Sequence, residues 1–237
     1  MSSRQSRILV RPMRSSDLDA LAAMSGKVYQ WPWEPSELAR QMGVFERGQL
    51  VAATEPGDEP VGVALGLIIN SADYDLTADW ATMTVRGRFT NHDPAGDTLY
   101  AAEVMVDPDA RGRGIGKKLY SARRALAREL RLRRIRAGSR LRGYRQYAQV
   151  LTPAQYVVKV TRGEIGDPTL SFQLKQGFKV LAVTPGYLPG DPDSLGYAAI
   201  IEWLDPRRAR KADRETQAAA MHQLEADAAG SLPGGGG

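Results

Sequence analysis

The sequence contains no cysteine and only two histidines, His92 and His222. The first absence removes disulfides, thiolate zinc sites and every cysteine-nucleophile mechanism. The second removes a histidine-rich metal centre, and nothing in the spacing of the carboxylates asks for an oxygen-ligated metal in its place. Long apolar runs are missing too. The longest, Val61 to Ile69, holds two glycines and falls well short of the roughly 20 residues that span a bilayer. It reads as a buried strand, and no membrane partner is expected. The N-terminal stretch MSSRQSRILVRP carries basic residues without an apolar core of signal-peptide length, so the expected location is the cytoplasm.

What is present is an ordinary globular composition in 237 residues, enough for one substantial domain. The net charge of +5 is unevenly spread. From Arg111 to Arg145 there are 14 Lys/Arg and one acidic residue, Glu129, so this stretch carries +13 and the rest of the chain −8. Charge focused in this way suggests an anionic partner at a defined place, a polyphosphate ligand or nucleic acid.

Hydrophobic period and turn residues divide the chain as follows. Strands are expected at 7–11, 44–54, 61–70, 98–106, 132–137, 178–184 and 196–203. Helices are expected from 15–19, over 35–42, in a short piece near 77–84, and from Ile115, where apolar residues recur at Leu119, Ala122, Leu126 and Leu130. The Thr152-Pro153-Ala154-Gln155 run combines an N-cap, a proline at the first helical position and a capping-box glutamine. Asp167-Pro168 opens a further helix that Gly177 ends. Residues 206–237 are polar and alanine-rich and finish in SLPGGGG. They are expected as a helix of marginal stability running into a disordered tail, outside a domain covering 1–205.

The stretch with the most chemical content is Glu103-Val104-Met105-Val106-Asp107-Pro108-Asp109-Ala110-Arg111-Gly112-Arg113-Gly114-Ile115-Gly116. A strand ends at a proline turn, and a glycine-rich loop feeds into a helix. Such a loop aims several backbone N–H groups at one anion while the helix N-terminus adds about half a positive charge. A Walker loop is excluded because Gly116-Lys117 is followed by Lys118 and position 111 is arginine. The dinucleotide fingerprint GxGxxG is excluded by the spacing of Gly112, Gly114 and Gly116.

The stretch resembles the pyrophosphate-binding signature (Q/R)-x-x-G-x-(G/A) of the GNAT superfamily of N-acetyltransferases, met by Arg111, Gly114 and Gly116. The preceding V-x-P is met by Val106 and Pro108. LYAAEVMVDPDARGRGIGKKLY, GSRLRGY, DPTLSFQLKQGF and GYLPGDPDSLGYAAIIEW together look like the acetyltransferase domain that some bacterial proteins fuse to a carbon–nitrogen hydrolase. The resemblance covers most of 7–203. Its hydrolase half, which needs a catalytic cysteine, has no counterpart here. The implied fold is α/β, a mixed and mostly antiparallel sheet of about seven strands with helices on both faces.

The resemblance implies acetyl-CoA as cosubstrate and an amine as acceptor. The backbone of Val104, Met105 and Val106 would pair with the pantetheine arm. The segment Arg111, Gly112, Arg113, Gly114, Ile115 and Gly116 would hold the pyrophosphate, with Lys117 adding charge. The other arginines from Arg123 to Arg136 read as a solvated helix face. Glu103, on the strand before the loop, is the candidate for a general base or for binding a cationic amine. His92 has an unperturbed pKa suited to acid–base work. The leaving-group acid of the superfamily, a tyrosine four residues before the glycine that ends the late helix, is replaced here by Gln173. Tyr144 and Tyr147 are the nearest substitutes, with packing the preferred reading for both. The segment 139–166 is longer than usual for the superfamily, and its Arg140 and Arg142 hint at a carboxylate or phosphate on the acceptor.

Two rivals remain at this stage. A nucleic-acid-binding module would use the 111–145 segment, although that segment lacks interleaved aromatics and any DNA-reading motif. A non-catalytic acyl-CoA sensor would keep the fold without turnover, which Gln173 leaves open. A homodimer is common among proteins of this kind, and the sequence leaves the oligomeric state and the acceptor unassigned.

Overall fold

The computed structural model of the chain describes residues 6–29 and 32–230. Seven strands lie in one sheet: β1 (Arg7–Pro12), β2 (Leu50–Glu55), β3 (Pro60–Ile69), β4 (Thr98–Val106), β5 (Arg134–Arg140), β6 (Lys179–Thr184) and β7 (Ala198–Leu204). Their order is β1-β2-β3-β4-β5-β7-β6, the mixed sheet expected. Among the described residues seven α-helices accompany it: α1 (Leu18–Gly26), α2 (Pro35–Val44), α3 (Trp80–Thr84), α4 (Ile115–Glu129), α5 (Pro153–Thr161), α6 (Leu170–Lys175) and α7 (Lys211–Gly230). No helix among the described residues is long and apolar enough to cross a membrane. The chain divides into two compact units, Met1–Ile69 with Thr84–Arg131 and Asn70–Met83 with Leu132–Gly237.

In the first unit β1, β2, β3 and β4 form an antiparallel ladder. One face of the ladder is covered by α4, whose Ile115 and Leu119 are buried with Ile8, Leu50, Ala52 and Ala64. The apolar stripe read from the sequence is this contact. The strand expected over 44–54 is shorter than predicted. Val44 closes α2, a single turn follows at Glu46–Gly48, and β2 starts only at Leu50. The ladder beyond the end of β2 is completed by side chains. Gln49 offers its amide to both backbone groups of Gly66, accepting from the N–H at 3.3 Å and donating to the carbonyl at 2.8 Å.

In the second unit β7 pairs antiparallel with β5 and with β6. The cap predicted for α5 is formed: Thr152 accepts from Gln155 N and Gln155 accepts from Thr152 N. Asp167 starts α6 through Oδ1, which accepts from Thr169 N and Leu170 N at 2.8 and 2.7 Å. The polar C-terminal stretch forms α7, which buries Asp213, Gln217, Leu224 and Ala228 along one face. Ion pairs add to its buried Leu224 and Ala228: Arg134 donates to Asp213 at 2.6 Å, and at the surface Arg162 to Glu225 at 2.9 Å. The disordered stretch expected after it lies outside the described residues.

Candidate functional site

The loop between β4 and α4 is built by short-range bonds. Asp107 accepts from Asp109 N with its side chain and from Ala110 N with its carbonyl, both at 2.9 Å. Lys27, at the end of α1, reaches Asp107 at 3.0 Å and Asp109 at 2.8 Å. Burial pushes the Asp107 carboxyl up, but the Asp109 N–H and the Lys27 ammonium outweigh it, and its pKa lies below the usual value. The chain then passes through two left-handed glycines, Gly112 at φ +78° and Gly114 at φ +72°. A Cβ on either would meet nothing within 4 Å. Backbone conformation, not crowding, is what requires glycine here, and the space over the loop is open.

Gly114 is the N-cap of α4, and no side chain caps the helix. Its first turn carries no acidic residue, so the positive end of the helix dipole is left for an external anion. Arg111 and Lys117 are exposed beside it. Arg113 and Lys118 are directed elsewhere, donating to the carbonyls of Ser6 at 2.9 Å and Ile8 at 3.1 Å. Those two bonds tie the start of α4 to the β1 end of the sheet. Ile115, buried at the first helical position, anchors the loop from beneath.

Upstream, β4 carries a bulge. Leu65 pairs with Glu103 but Gly66 pairs with Ala101, so Ala102 is the extra residue. Past the bulge Val104 and Val106 pack against the cluster under α4. By strand alternation Glu103 and Met105 then belong to the opposite face. Glu103 is half-buried, and its Oε1 accepts from Val104 N at 2.9 Å. Its carbonyl accepts from Arg123 of α4, whose guanidinium also donates to Leu65 O at 2.7 Å.

The remaining candidates occupy structural positions. His92 lies beside β3, where its Nδ1 accepts from Ile68 N at 3.0 Å and its ring stacks on Phe45 with centroids 4.5 Å apart. The proton of the neutral ring is therefore on Nε2, and burial lowers the pKa. Tyr144 is 4% exposed, donates to Leu151 O at 3.1 Å and packs against Tyr156 and Tyr197. Burial raises its pKa. Tyr147 packs on Tyr156. Gln173, at the position of the missing tyrosine, is buried in α6.

The solvated-face reading of the arginines is corrected at three positions. Arg123, Arg134 and Arg136 are buried. On β5, Arg134 and Arg136 both reach Glu202 of β7, at 3.3 and 2.9 Å. Arg140 forks onto Asp191 and also reaches Asp193 at 2.9 Å. Part of the charge of the 111–145 segment is thus matched by carboxylates distant in sequence, which weakens the support for a nucleic-acid interface. Sequence reasoning missed Gln49, which holds Gly66 of β3, and Arg123, which holds Glu103 of β4. Arg123 left one signal: it stands eight residues after Ile115, inside the apolar stripe of α4.

The Acetyltransferase (GNAT) family profile matches residues 18–144. "Uncharacterized N-acetyltransferase YkwB" of Bacillus subtilis is 31% identical over 202 residues, 83% of this chain and 88% of that protein. "Probable hydrolase YhcX" of the same organism is 38% identical over 201 residues, 84% of this chain but only 39% of the longer relative. Among solved structures, a GNAT-like decarboxylase, GphF, in complex with isobutyryl-CoA superimposes with a TM-score of 0.67 at 26% identity. That match covers 83% of this chain and 98% of the other. The chain belongs to the GNAT acetyltransferase family.

Proposed function

We propose that the protein is an N-acetyltransferase that uses acetyl-CoA to acetylate an amine acceptor in the cytoplasm by direct attack, without a covalent acyl-enzyme. The observation that carries this reading is the pair of left-handed glycines leading into an α4 N-terminus that no side chain caps, with Arg111 and Lys117 exposed beside it. A pyrophosphate is the anion such a site suits, because the uncapped N–H groups of a helix start are flanked in the chain by two exposed basic residues. The backbone of Val104 to Val106 takes the pantetheine arm. Acyl-CoA supplies an activated thioester. Transfer forms a C–N bond at the acyl carbon, breaks the C–S bond, and leaves the CoA thiolate to take up a proton.

In this scheme Glu103 accepts the amine proton, directly or through water. Its carboxylate first has to leave the Val104 N–H that it holds in the free protein. That exchange couples donor entry to release of the base. His92 and Tyr144 take no part in proton transfer: the lone pair of one is engaged by Ile68 N–H, and the hydroxyl of the other is committed to Leu151 O.

A second reading follows from the GphF neighbour, which is described as a decarboxylase, and from the glutamine at position 173. It has the chain decarboxylate an acyl-CoA that bears a free carboxylate. Two assays separate the readings. Thiol release from acetyl-CoA across a panel of amines supports acetyl transfer. Carbon dioxide release from malonyl-CoA without an amine supports decarboxylation. Binding of acetyl-CoA with neither product identifies a sensor.

A further inference from the structure

The bulge in β4 is held from two sides by buried polar side chains. On the α4 side is Arg123, 3% exposed. Its guanidinium donates to the carbonyls of Leu65 and Glu103, the two residues that face each other where the register shifts. A bulge disrupts the ladder and leaves backbone acceptors without their regular donors, and one guanidinium nitrogen serves both strands. On the β2 side is Gln49, with no exposure, whose amide pairs with both backbone groups of Gly66, the next residue along β3. The two clamps therefore act on consecutive residues of β3, at the point where β4 gains Ala102.

Arg123 is an unusual choice for this place. A guanidinium is costly to bury, and a buried one is ordinarily matched by a carboxylate. The hydrogen bonds of Arg123 go to carbonyls, with the Tyr120 ring 5.8 Å away. Burial depresses its pKa to about 10, so the group remains charged at neutral pH. A core that needed only packing would be served by an aliphatic residue in line with Ile115, Leu119 and Leu126. A cation kept here at such cost fixes something that packing alone does not. What it fixes is the peptide of Glu103: the carbonyl is held by Arg123 while the following N–H is held by the Glu103 carboxylate.

We infer that Arg123, seconded by Gln49, is a positioning residue for the reaction: it locks the β4 bulge so that Glu103 and the Val104 N–H present a fixed geometry to the acyl donor. Its catalytic part rests on the acyltransferase reading, and its structural part on the hydrogen bonds of Arg123 and Gln49 alone. The pyrophosphate loop is held separately by Lys27, Arg113 and Lys118, so loosening the bulge leaves the anion site in place.

The test compares Arg123→Met, Arg123→Lys and Gln49→Met with wild type, using three readouts. These are acetyl-CoA affinity by calorimetry, kcat by thiol release, and hydrogen exchange of the 101–106 backbone without ligand. For Arg123→Met the expected result is a slightly raised Kd, because only the Val104 end of the donor site loosens, a kcat lowered by about a hundredfold, as small misplacements at a reacting centre cost, and faster exchange confined to β4. Arg123→Lys restores much of kcat, because an ammonium still reaches a carbonyl. An unchanged kcat and unchanged exchange in Arg123→Met overturn the inference. So does a parallel loss of Kd, kcat and melting temperature that lysine does not repair, since that describes a packing residue. If Arg123→Met does not fold, Gln49→Met decides from the other side of the bulge: local exchange and kcat change together, or the clamp plays no part. A wild type that neither binds nor turns over acetyl-CoA removes the acyltransferase reading. The exchange data then still report whether Arg123 and Gln49 hold the bulge.

Discussion

Asp167 offers the sharpest stability prediction, because one carboxylate that is 2% exposed organises three segments of the second unit. Its Oδ1 accepts from Thr169 N and Leu170 N at the start of α6, at 2.8 and 2.7 Å. Its Oδ2 accepts from Gly143 N at 2.9 Å and from the Tyr156 hydroxyl at 2.8 Å. Asp167→Ala removes the acceptor for all four, three of them buried bonds. A hydrogen bond to a charged group contributes about 1.5–3 kcal/mol, and losses within one network do not add. A destabilisation of about 4 kcal/mol is expected, near the upper end for single substitutions. At about 2–4 °C per kcal/mol for a chain of this size, the melting temperature falls by roughly 8–16 °C. Tyr156→Phe removes one donor and costs about 1 kcal/mol. Thermal denaturation of the two variants and the double mutant reads both values and their coupling. An Asp167→Ala variant no less stable than Tyr156→Phe would refute the idea that this carboxylate is a hub.

Three further outcomes are expected. Burial lowers the His92 pKa from 6.5, so the unfolded chain binds this proton more readily than the folded one. Its contribution is fully present above the unfolded value and is lost as pH falls from there through the folded value. Urea midpoints between pH 7.5 and 5.5 should decline in wild type and decline less in His92→Gln. Glu202→Gln weakens the acceptor that Arg134 and Arg136 share and should cost about 3 kcal/mol, as breaking a buried pair does. Limited proteolysis should show α7 released first, because Gln217 and Arg134 link Glu202 to that helix. Replacing Lys27 by Met frees the turn before the glycine loop that is proposed to hold the pyrophosphate. Acetyl-CoA affinity should then drop by less than about tenfold, as an exposed pair is worth under about 1 kcal/mol; a complete loss of binding would contradict that ranking.

The parts legible in sequence were those with local causes. β4 was read at its observed bounds, Thr98–Val106, because a turn-rich loop precedes it and Pro108 follows it closely. The α5 capping box was legible for the same reason: Thr152, Pro153 and Gln155 satisfy each other within four residues. The glycines at 112 and 114 were legible by type, since left-handed backbone has few other occupants. What escaped depends on partners far away in the chain. The burial of Arg134 and Arg136 is set by Glu202, 68 and 66 residues on. The docking of α7 depends on Asp213 and Gln217, which a hydrophobic pattern counts as surface. His92 looked catalytic because its pKa is suitable when free. Only the register of β3 beyond the end of β2 reveals that its Nδ1 completes the strand.

The measurement that bears most directly on the central claim is calorimetric titration of acetyl-CoA into the wild-type protein and into Gly114→Trp, with free CoA as a second ligand. Wild type is expected to bind both ligands at micromolar concentration. Gly114→Trp is expected to lose both, because tryptophan at φ +72° strains the turn and fills the open space over the α4 N-terminus. A folded wild type that binds neither ligand, or a folded Gly114→Trp that binds as well as wild type, would overturn the assignment of the acyl-CoA site.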